Sequence, residues 1–339
     1  HKLWRHEMHL PHFEITEPRT LDDALLVLSD HEDRIMIKAG GTALIPAMRL
    51  GLANPDRVLN ISTISDMDKI DRHRDNCISI GANSSLFQVR QSSIIKENFP
   101  ALVDAVKSIS SPSLHHSSSI AGNICQDCRC IYYNQSLTWR ALRSKCFKAA
   151  GKTCHAVSNG NKCSAVYRGD LAPVLISMSA SVVLASFKGK REIPLSQFFK
   201  SNGIWPNTLG PAEILTEVVI PIPKSNLKFT FEKVRIRSSL DYAIATGAVS
   251  VTTDSEGTCT DCKIVLGALG PGPIESFEAE KIIVGTIPDL AICKRAAKEV
   301  INKIHPVANT ESTPEHRIEL AEFIVVRCLC KALGIGGGD

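Results

Sequence analysis

Six of the chain's twelve cysteines fall within 39 consecutive residues. Thiolate sulfur binds zinc and iron–sulfur clusters. The first eight residues show no hydrophobic signal segment, and in a chain without one such cysteine density favours metal binding or redox chemistry over a disulfide framework. From the spacing alone, zinc and iron–sulfur both stay open, because four cysteines serve either. The six are Cys125, Cys128, Cys130, Cys146, Cys154 and Cys163.

The cysteine-rich segment is also basic. Residues 125–168 contain eight lysines and arginines against one acid, Asp127. Cations near a thiol lower its pKa, so the basic residues are expected to compensate the thiolates. The segment has few large apolar residues, which predicts that a metal holds it together. The net charge of the whole chain, +4, does not indicate a nucleic-acid partner.

The other six cysteines are scattered and predicted to be buried small apolar residues. Cys259 and Cys262 form a C-x-x-C, which we interpret as part of a hairpin turn. The remaining four are Cys77, Cys293, Cys328 and Cys330.

Two glycine-containing segments could bind phosphate. A strand over 34–39 is predicted to end at Gly40-Gly41-Thr42, directly before a helix over 43–50, and glycine lets backbone N–H groups approach an anion. A second glycine turn is predicted within 117–124, after a helix over 100–108. A tight structural turn explains either segment alone, but two in one domain favour a phosphate site. Neither matches the dinucleotide or P-loop motif.

The remaining pattern predicts a mixed α and β protein. The 339 residues suggest two domains, perhaps three if they are small. Short strands are expected over 60–82 and 181–222. Three more strands and then two helices are expected after a boundary at 223–227, which is typical of an α+β domain. The most apolar stretch, residues 171–185, is too short to span a membrane. We therefore expect a cytoplasmic protein.

Five motifs resemble the FAD-binding subunit of the molybdenum hydroxylases, the xanthine dehydrogenase family. The resemblance runs from about residue 12 to 333. It implies a vanillyl-alcohol-oxidase (PCMH) type FAD-binding fold over 9–223, with subdomains at about 9–62 and 63–223. A C-terminal α+β domain of the CO dehydrogenase flavoprotein type would cover 227–333. The motifs are K-A-G-G-T at 38–42, S-I-A-G-N-I at 119–124, G-D-L-A-P at 169–173, E-I-L-T-E-V-V-I-P-I-P at 213–223 and R-S-S-L-D-Y-A at 237–243.

The resemblance implies an FAD site. Backbone N–H groups of the first glycine segment would bind the pyrophosphate, and the second segment would lie near the phosphate and ribityl oxygens. Asp170 would accept a hydrogen bond from a sugar or ribityl hydroxyl, and Lys233 would lie near the isoalloxazine. Ile214 and Leu215 would pack on that ring, although the residues alone favour a core role for both. The two segments contribute Lys38, Ala39, Gly40, Gly41, Thr42 and Ala43, then Ser118, Ser119, Gly122 and Asn123.

The cysteine-rich segment, an insertion over 125–168, resembles the β subunit of 4-hydroxybenzoyl-CoA reductase. In that branch of the family the insertion carries a [4Fe-4S] cluster. Matching positions implies four cysteine ligands, with Cys125 or Cys128 as alternatives to the first. Zinc remains the rival metal. The implied ligands are Cys130, Cys146, Cys154 and Cys163.

The implied function is electron transfer, with no catalytic residue in this chain. FAD and the cluster would pass electrons between an external carrier such as ferredoxin and two partner subunits, one with molybdenum and one with [2Fe-2S] clusters. A dimer of such heterotrimers would reductively dehydroxylate 4-hydroxybenzoyl-CoA. One alternative is the flavin subunit of an oxidative hydroxylase of aromatic or N-heterocyclic compounds. Others are a self-contained flavoprotein dehydrogenase and a zinc-stapled scaffold without redox function.

Overall fold

The structure is a computed structural model that describes residues 10–29, 34–73, 76–237, 240–308 and 312–336. Residue 9, the expected start of the first domain, lies outside these ranges. So do Ser238 and Ser239 of the R-S-S-L-D-Y-A motif. The described residues form three sheets with helices packed on them, which confirms the mixed α and β class.

The first sheet is parallel and has the strand order β1-β3-β2. Its helix α1 begins after Thr20, whose Oγ1 accepts a hydrogen bond from Asp23 N at 3.1 Å. Parallel strands need crossover connections, and two helices supply them here. The elements are β1 (Glu14–Thr16), α1 (Leu21–Ser29), β2 (Ile35–Lys38), α2 (Leu44–Arg49) and β3 (Arg57–Asn60).

The second sheet is antiparallel, with the strand order β4-β5-β8-β6-β7. Its helices share one large apolar core with the first sheet. The strands are β4 (Ile70–His73), β5 (Cys77–Gly81), β6 (Ser181–Ser186), β7 (Gly189–Pro194) and β8 (Ile214–Pro221). The helices that contribute to this core are α3 (Leu86–Gln91), α4 (Ser93–Asn98), α5 (Pro100–Lys107), α6 (Ile120–Ile124), α8 (Leu171–Ser177) and α9 (Leu195–Phe198). Helix α7 (Leu137–Ala141) belongs to the insertion and buries no side chain.

The third sheet, of order β12-β11-β10-β9, packs against three helices around a second core. Its longest helix is capped by Thr313 and ends at Gly334, which has a φ of 71°. The elements are β9 (Leu227–Val234), β10 (Ala245–Thr253), β11 (Cys259–Gly267), β12 (Ile274–Glu275), α10 (Phe277–Ile283), α11 (Leu290–Ile301) and α12 (Pro314–Leu333).

The hairpin-turn interpretation of Cys259 and Cys262 is wrong. Both lie in β11 and are buried, and the connection from β10 is formed by residues 254–258. A register shift between Thr252 and Thr253 accompanies this connection. Of the six scattered cysteines, five are buried as predicted and Cys77 is half-buried.

The insertion leaves the core after α6 and returns before α8. Arg129 and Val166 close its base through two backbone hydrogen bonds of 2.8 Å. Side chains of the insertion donate hydrogen bonds to connecting segments near all three sheets. Arg140 Nη2 donates to Gly51 O at 2.9 Å, Lys148 Nζ to Gly203 O at 2.7 Å, and Cys128 Sγ to Pro271 O at 3.3 Å. No helix in the described part of the chain is long and apolar enough to cross a membrane.

Candidate functional site

A cleft of about 760 Å³ opens where the first sheet meets the second. Its size is within the range of cofactor pockets. Of the residues predicted for FAD, the cleft wall includes Lys38, Ala39, Gly40 and Ser119. The other lining residues are Ser62, Thr63, Ile64, Ser65, Asp66, Asp68, Lys69, Asn83, Ser85, Gln88, His116 and Ser117.

The two glycine segments meet at this cleft. A Cβ on Gly40 would lie 1.6 Å from Ser117 O, so only glycine fits that contact. Gly41 has a φ of 72°, a left-handed conformation that glycine adopts without strain. Ser118 Oγ donates to Thr42 Oγ1 at 3.2 Å. The sequence predicts both glycine segments, but not the contact between them.

Lys38 and two asparagines line or support the cleft. Lys38 Nζ donates to Ala39 O at 2.9 Å and to Asn60 Oδ1 at 3.1 Å, which holds its ammonium group beside the glycine turn. Asn83 Nδ2 donates to Ile61 O at 2.7 Å. Its buried Oδ1 has no hydrogen-bond partner within the described ranges. A buried acceptor at the wall of a cleft suits a hydroxyl or N–H group of a ligand.

The second glycine segment is helical, which corrects the predicted turn. Gly122 and Asn123 lie within α6, and Ser119 Oγ caps that helix by accepting from Gly122 N at 3.1 Å. Asn123 is buried, and its Oδ1 accepts from Leu171 N at 3.1 Å. Its amide therefore fixes the start of α8.

Asp170 and Lys233 form a buried ion pair. The distance from Lys233 Nζ to Asp170 Oδ2 is 2.7 Å, and the side chains are 3% and 7% exposed. Lys233 Nζ also donates to Ser108 O at 3.0 Å. Burial raises the pKa of the Asp170 carboxyl, and the Lys233 ammonium opposes that rise. Ile214 and Leu215 are buried in the large apolar core.

The sequence reasoning missed most of the cleft wall. Residues 62–66 and 68–69 line it, yet they belong to no glycine motif. Their run of serine and threonine directly after β3 was the available signal. His116 also lines the cleft, with its ring stacked 4.1 Å from that of Phe87.

The predicted cysteine ligands converge on a second cavity, inside the insertion. Its volume is about 20 Å³. Cys125 and Cys128 do not line it. Cys125 packs on the large core, and Cys128 lies in the buried cluster against which Cys130 and Cys163 pack, with its Sγ donating to Pro271 O. Burial raises the pKa of each of these two thiols to about 12. The lining cysteines are Cys130, Cys146, Cys154 and Cys163.

Backbone groups favour thiolates at two of the four positions. Burial raises the pKa of Cys130 and of Cys163, but backbone N–H groups of Tyr132 and Ala165 lower them by stabilising the thiolate form. Such N–H groups also stabilise cluster-bound sulfur. The Cys146 carbonyl accepts from Ala149 N and Gly151 N, both at 2.8 Å, which fixes the turn after it.

One lysine of the basic segment lies at the cavity. Lys148 lines it with a side chain that is 4% exposed, and its Nζ is paired with Asp127 Oδ1 at 2.6 Å. Arg129 and Arg168 instead lie over the Tyr242 ring, at 4.7 and 5.5 Å. His155 also lines the cavity, and its Nε2 lies 2.8 Å from Ser144 O.

The four thiols share a cavity without forming a single-ion site. Among the residues that the structure describes, no group of three or more Cys, His, Asp and Glu side chains could hold one metal ion.

The chain belongs to the family of the FAD binding domain in molybdopterin dehydrogenase, whose model matches residues 11–223. The CO dehydrogenase flavoprotein C-terminal domain matches residues 229–332. The chain is thus an FAD-binding subunit of the molybdenum hydroxylase type, an oxidoreductase subunit, as the motifs implied.

Curated relatives span nearly the same length. The chain is 25% identical to the 6-hydroxypseudooxynicotine dehydrogenase complex subunit alpha of Paenarthrobacter nicotinovorans, over 95% of both chains. It is 28% identical to the nicotinate dehydrogenase FAD-subunit of Eubacterium barkeri, over 80% of both chains.

Solved structures share the fold. A Cu,Mo-CO dehydrogenase chain superposes with a TM-score of 0.79 at 22% identity, over 96% of this chain and 99% of the other. A chain of quinoline 2-oxidoreductase from Pseudomonas putida 86 superposes with a TM-score of 0.77 at 21% identity, over the same shares. The predicted fold class, an FAD-binding domain followed by the CO dehydrogenase flavoprotein domain, is confirmed.

The cleft fits FAD. The Gly40–Ser117 contact brings backbone close to the cleft, where a pyrophosphate could be bound without side chains in the way. Lys38 supplies a cation beside the glycine turn, whereas the charge of Lys69 is offset by its ion pair with Asp66, and Asp68 lies on the same wall. Asn83 Oδ1, which has no hydrogen-bond partner among the described residues, supplies an acceptor. When bound, FAD exchanges electrons in pairs or singly. The chain's own residues bind and orient it.

Proposed function

We propose that this chain passes single electrons through two groups, an FAD in the cleft and a [4Fe-4S] cluster held by Cys130, Cys146, Cys154 and Cys163. The observation that carries the proposal is the convergence of these four cysteines on one cavity within the insertion. The domain division at 223–227 and the FAD roles of Asp170, Ile214, Leu215 and Lys233 are part of the same proposal.

The cavity geometry favours a cluster over zinc. A zinc ion holds four sulfurs about 2.3 Å from one centre. The described thiols would have to move together to do this. In an iron–sulfur cluster each thiolate binds a different iron, so the sulfurs stay farther apart. The N–H donors from Tyr132 and Ala165 and the cation of Lys148 suit a negatively charged cluster.

The insertion also suits an external electron carrier. Its basic residues would attract an acidic partner such as a ferredoxin, and exposed apolar side chains such as Leu137 and Leu142, 60% and 79% exposed, offer contact area. The partner subunits would carry molybdenum and [2Fe-2S] clusters, in a dimer of heterotrimers. Electrons would flow inward, to reductive dehydroxylation of 4-hydroxybenzoyl-CoA.

A second candidate is the flavin subunit of an oxidative hydroxylase, with electrons flowing outward. Two curated relatives favour it, because the names of both refer to dehydrogenation of nitrogen-containing aromatic compounds. The same subunit could serve either direction. The oxidation of nicotinate and the reduction of 4-hydroxybenzoyl-CoA by the purified complex distinguish the two.

The test of the cofactor content is an absorption spectrum of the anaerobically purified complex, with iron, sulfide and flavin quantified. We expect one FAD and about four irons per copy of this chain, beyond those of the small subunit. A complex with flavin and one zinc per chain, and no additional iron, would support the zinc-stapled alternative instead.

A further inference from the structure

Tyr167 lies between the cysteine cavity and the cleft. Its side chain is buried in a small apolar cluster, against which Cys130 and Cys163 also pack. Its hydroxyl donates to Ile124 O at 2.8 Å, at the C-terminal end of α6. One side chain therefore contacts the surroundings of two predicted ligands and the helix that leads to the cleft.

The hydrogen-bonded connection continues through α6. The carbonyl carbon of Ile124 is bonded to Cys125 N, which donates to Ala121 O at 2.8 Å. The helix begins directly after Ser119, which lines the cleft. Its five residues span about 7.5 Å, at about 1.5 Å per residue. The path from the Tyr167 ring to the cleft wall is thus short and consists of covalent and hydrogen bonds.

Contacts of its hydroxyl, backbone and ring fix Tyr167 in place. A Cβ on Gly169 would lie 2.2 Å from the hydroxyl oxygen, so glycine is needed there. Tyr167 N donates to Gly270 O at 2.9 Å, and the Phe199 ring lies 4.9 Å away. Burial raises the pKa of Tyr167 well above its ordinary value, so the hydroxyl remains a hydrogen-bond donor at neutral pH.

We infer that Tyr167 is a positioning residue for electron transfer, because its hydroxyl fixes and connects the cysteine cavity and the cleft. This inference depends on the proposed function. One electron leaves the reduced cluster and enters FAD, so that the cluster is oxidised and FAD is reduced. A one-electron carrier of the ferredoxin class then reduces the cluster again, and protons come from solvent. The tyrosine itself stays neutral and is neither oxidised nor reduced.

The experiment compares Tyr167→Phe with Tyr242→Phe in the anaerobically purified complex. Tyr242 lines neither the cavity nor the cleft, and its ring can keep its contacts with Arg129 and Arg168 without the hydroxyl, so it controls for loss of a tyrosine hydroxyl as such. Iron, flavin, both reduction potentials and the thermal midpoint are measured first. The rate of electron transfer between cluster and flavin is then followed by rapid mixing with a low-potential reductant.

We expect Tyr167→Phe to slow this step several-fold at unchanged potentials and cofactor content, and Tyr242→Phe to leave it unchanged. A wild-type rate in Tyr167→Phe, or equal slowing in both variants, would overturn the role of Tyr167 but would leave the proposed cluster and FAD untouched. Wild-type complex without additional iron would overturn the proposed cluster and the inference with it. If the phenylalanine variant does not fold, 4-fluorophenylalanine at position 167 fills nearly the same volume without a hydrogen-bond donor. Its rate of electron transfer between cluster and flavin is then compared with that of the wild type in the same way.

Discussion

Lys233 Nζ and Asp170 Oδ2 lie 2.7 Å apart and join strand β9 to the start of α8. Both side chains are almost completely buried. The family resemblance implies that both residues lie at the flavin, and in the structure they also bind each other. The pair also contacts the end of α5 through Ser108 O. It therefore ties the third sheet to α5 and α8.

Lys233→Met should destabilise the protein by about 3 to 5 kcal/mol, because it leaves a buried carboxylate without its cation. Asp170→Asn in the same background should recover part of this loss, since the amide carries no charge. Urea denaturation of the single and double variants measures both. A double variant as unstable as Lys233→Met would show that the charge of Asp170 is not the cause.

Gly40→Ala should abolish flavin binding, because the new Cβ would lie 1.6 Å from Ser117 O and separate the two segments at the cleft. The flavin absorbance that remains with the protein after gel filtration measures this loss of binding. Gly272→Ala is the matched control, since its Cβ would meet its nearest atom at an ordinary 3.5 Å. Retention of flavin by Gly40→Ala would contradict the proposed pyrophosphate site.

The pair of Glu213 and Arg191 should make stability depend on acid pH. Hydrogen bonds from Arg191 at 2.7 and 2.8 Å hold the pKa of Glu213 below its ordinary value. A carboxyl with a lowered folded pKa adds stability above its unfolded pKa, about 4.5, and loses it as the pH falls toward the folded value.

Glu213→Gln should therefore lower stability by roughly 1 kcal/mol at neutral pH, and this difference should shrink below about pH 4.5. Thermal midpoints of wild type and variant between pH 3 and 7 test it. A difference that stays constant over this range would mean that the carboxylate charge does not contribute.

Lys148→Met should lower the reduction potential of the cluster by tens of millivolts, because a nearby cation favours the more negative, reduced state. A redox titration followed by electron paramagnetic resonance measures it. Lys152→Met, which removes an exposed cation from the same segment, is the control. Equal shifts in both variants would mean that the overall charge of the insertion acts, and not the position of Lys148.

Local signals predicted much of the fold. The cap at Thr20 and the strand that ends at Gly40 follow from residue types within a few positions of each other. Cys259 and Cys262 were misassigned because a short alternating segment with small polar residues fits a strand and a turn equally well.

Contacts between distant residues could not be predicted in this way. Asp170 and Lys233 are 63 positions apart, and the residues next to either one do not indicate which residue it will pair with. The same holds for the Gly40–Ser117 approach and for the serines and threonines after β3 that line the cleft. For the cysteines, spacing alone did not indicate which four bind a metal, and the proposed ligand set came from the family resemblance.

The most direct test of the account is the iron content of Cys146→Ser, with Cys128→Ala as the control. Cys146 lines the cavity, whereas Cys128 hydrogen-bonds to Pro271 O outside it. We expect Cys146→Ser to lose the additional iron and its absorption while FAD stays bound, and Cys128→Ala to keep both. Full iron content in Cys146→Ser, or loss of iron in Cys128→Ala alone, would contradict the proposed ligand set.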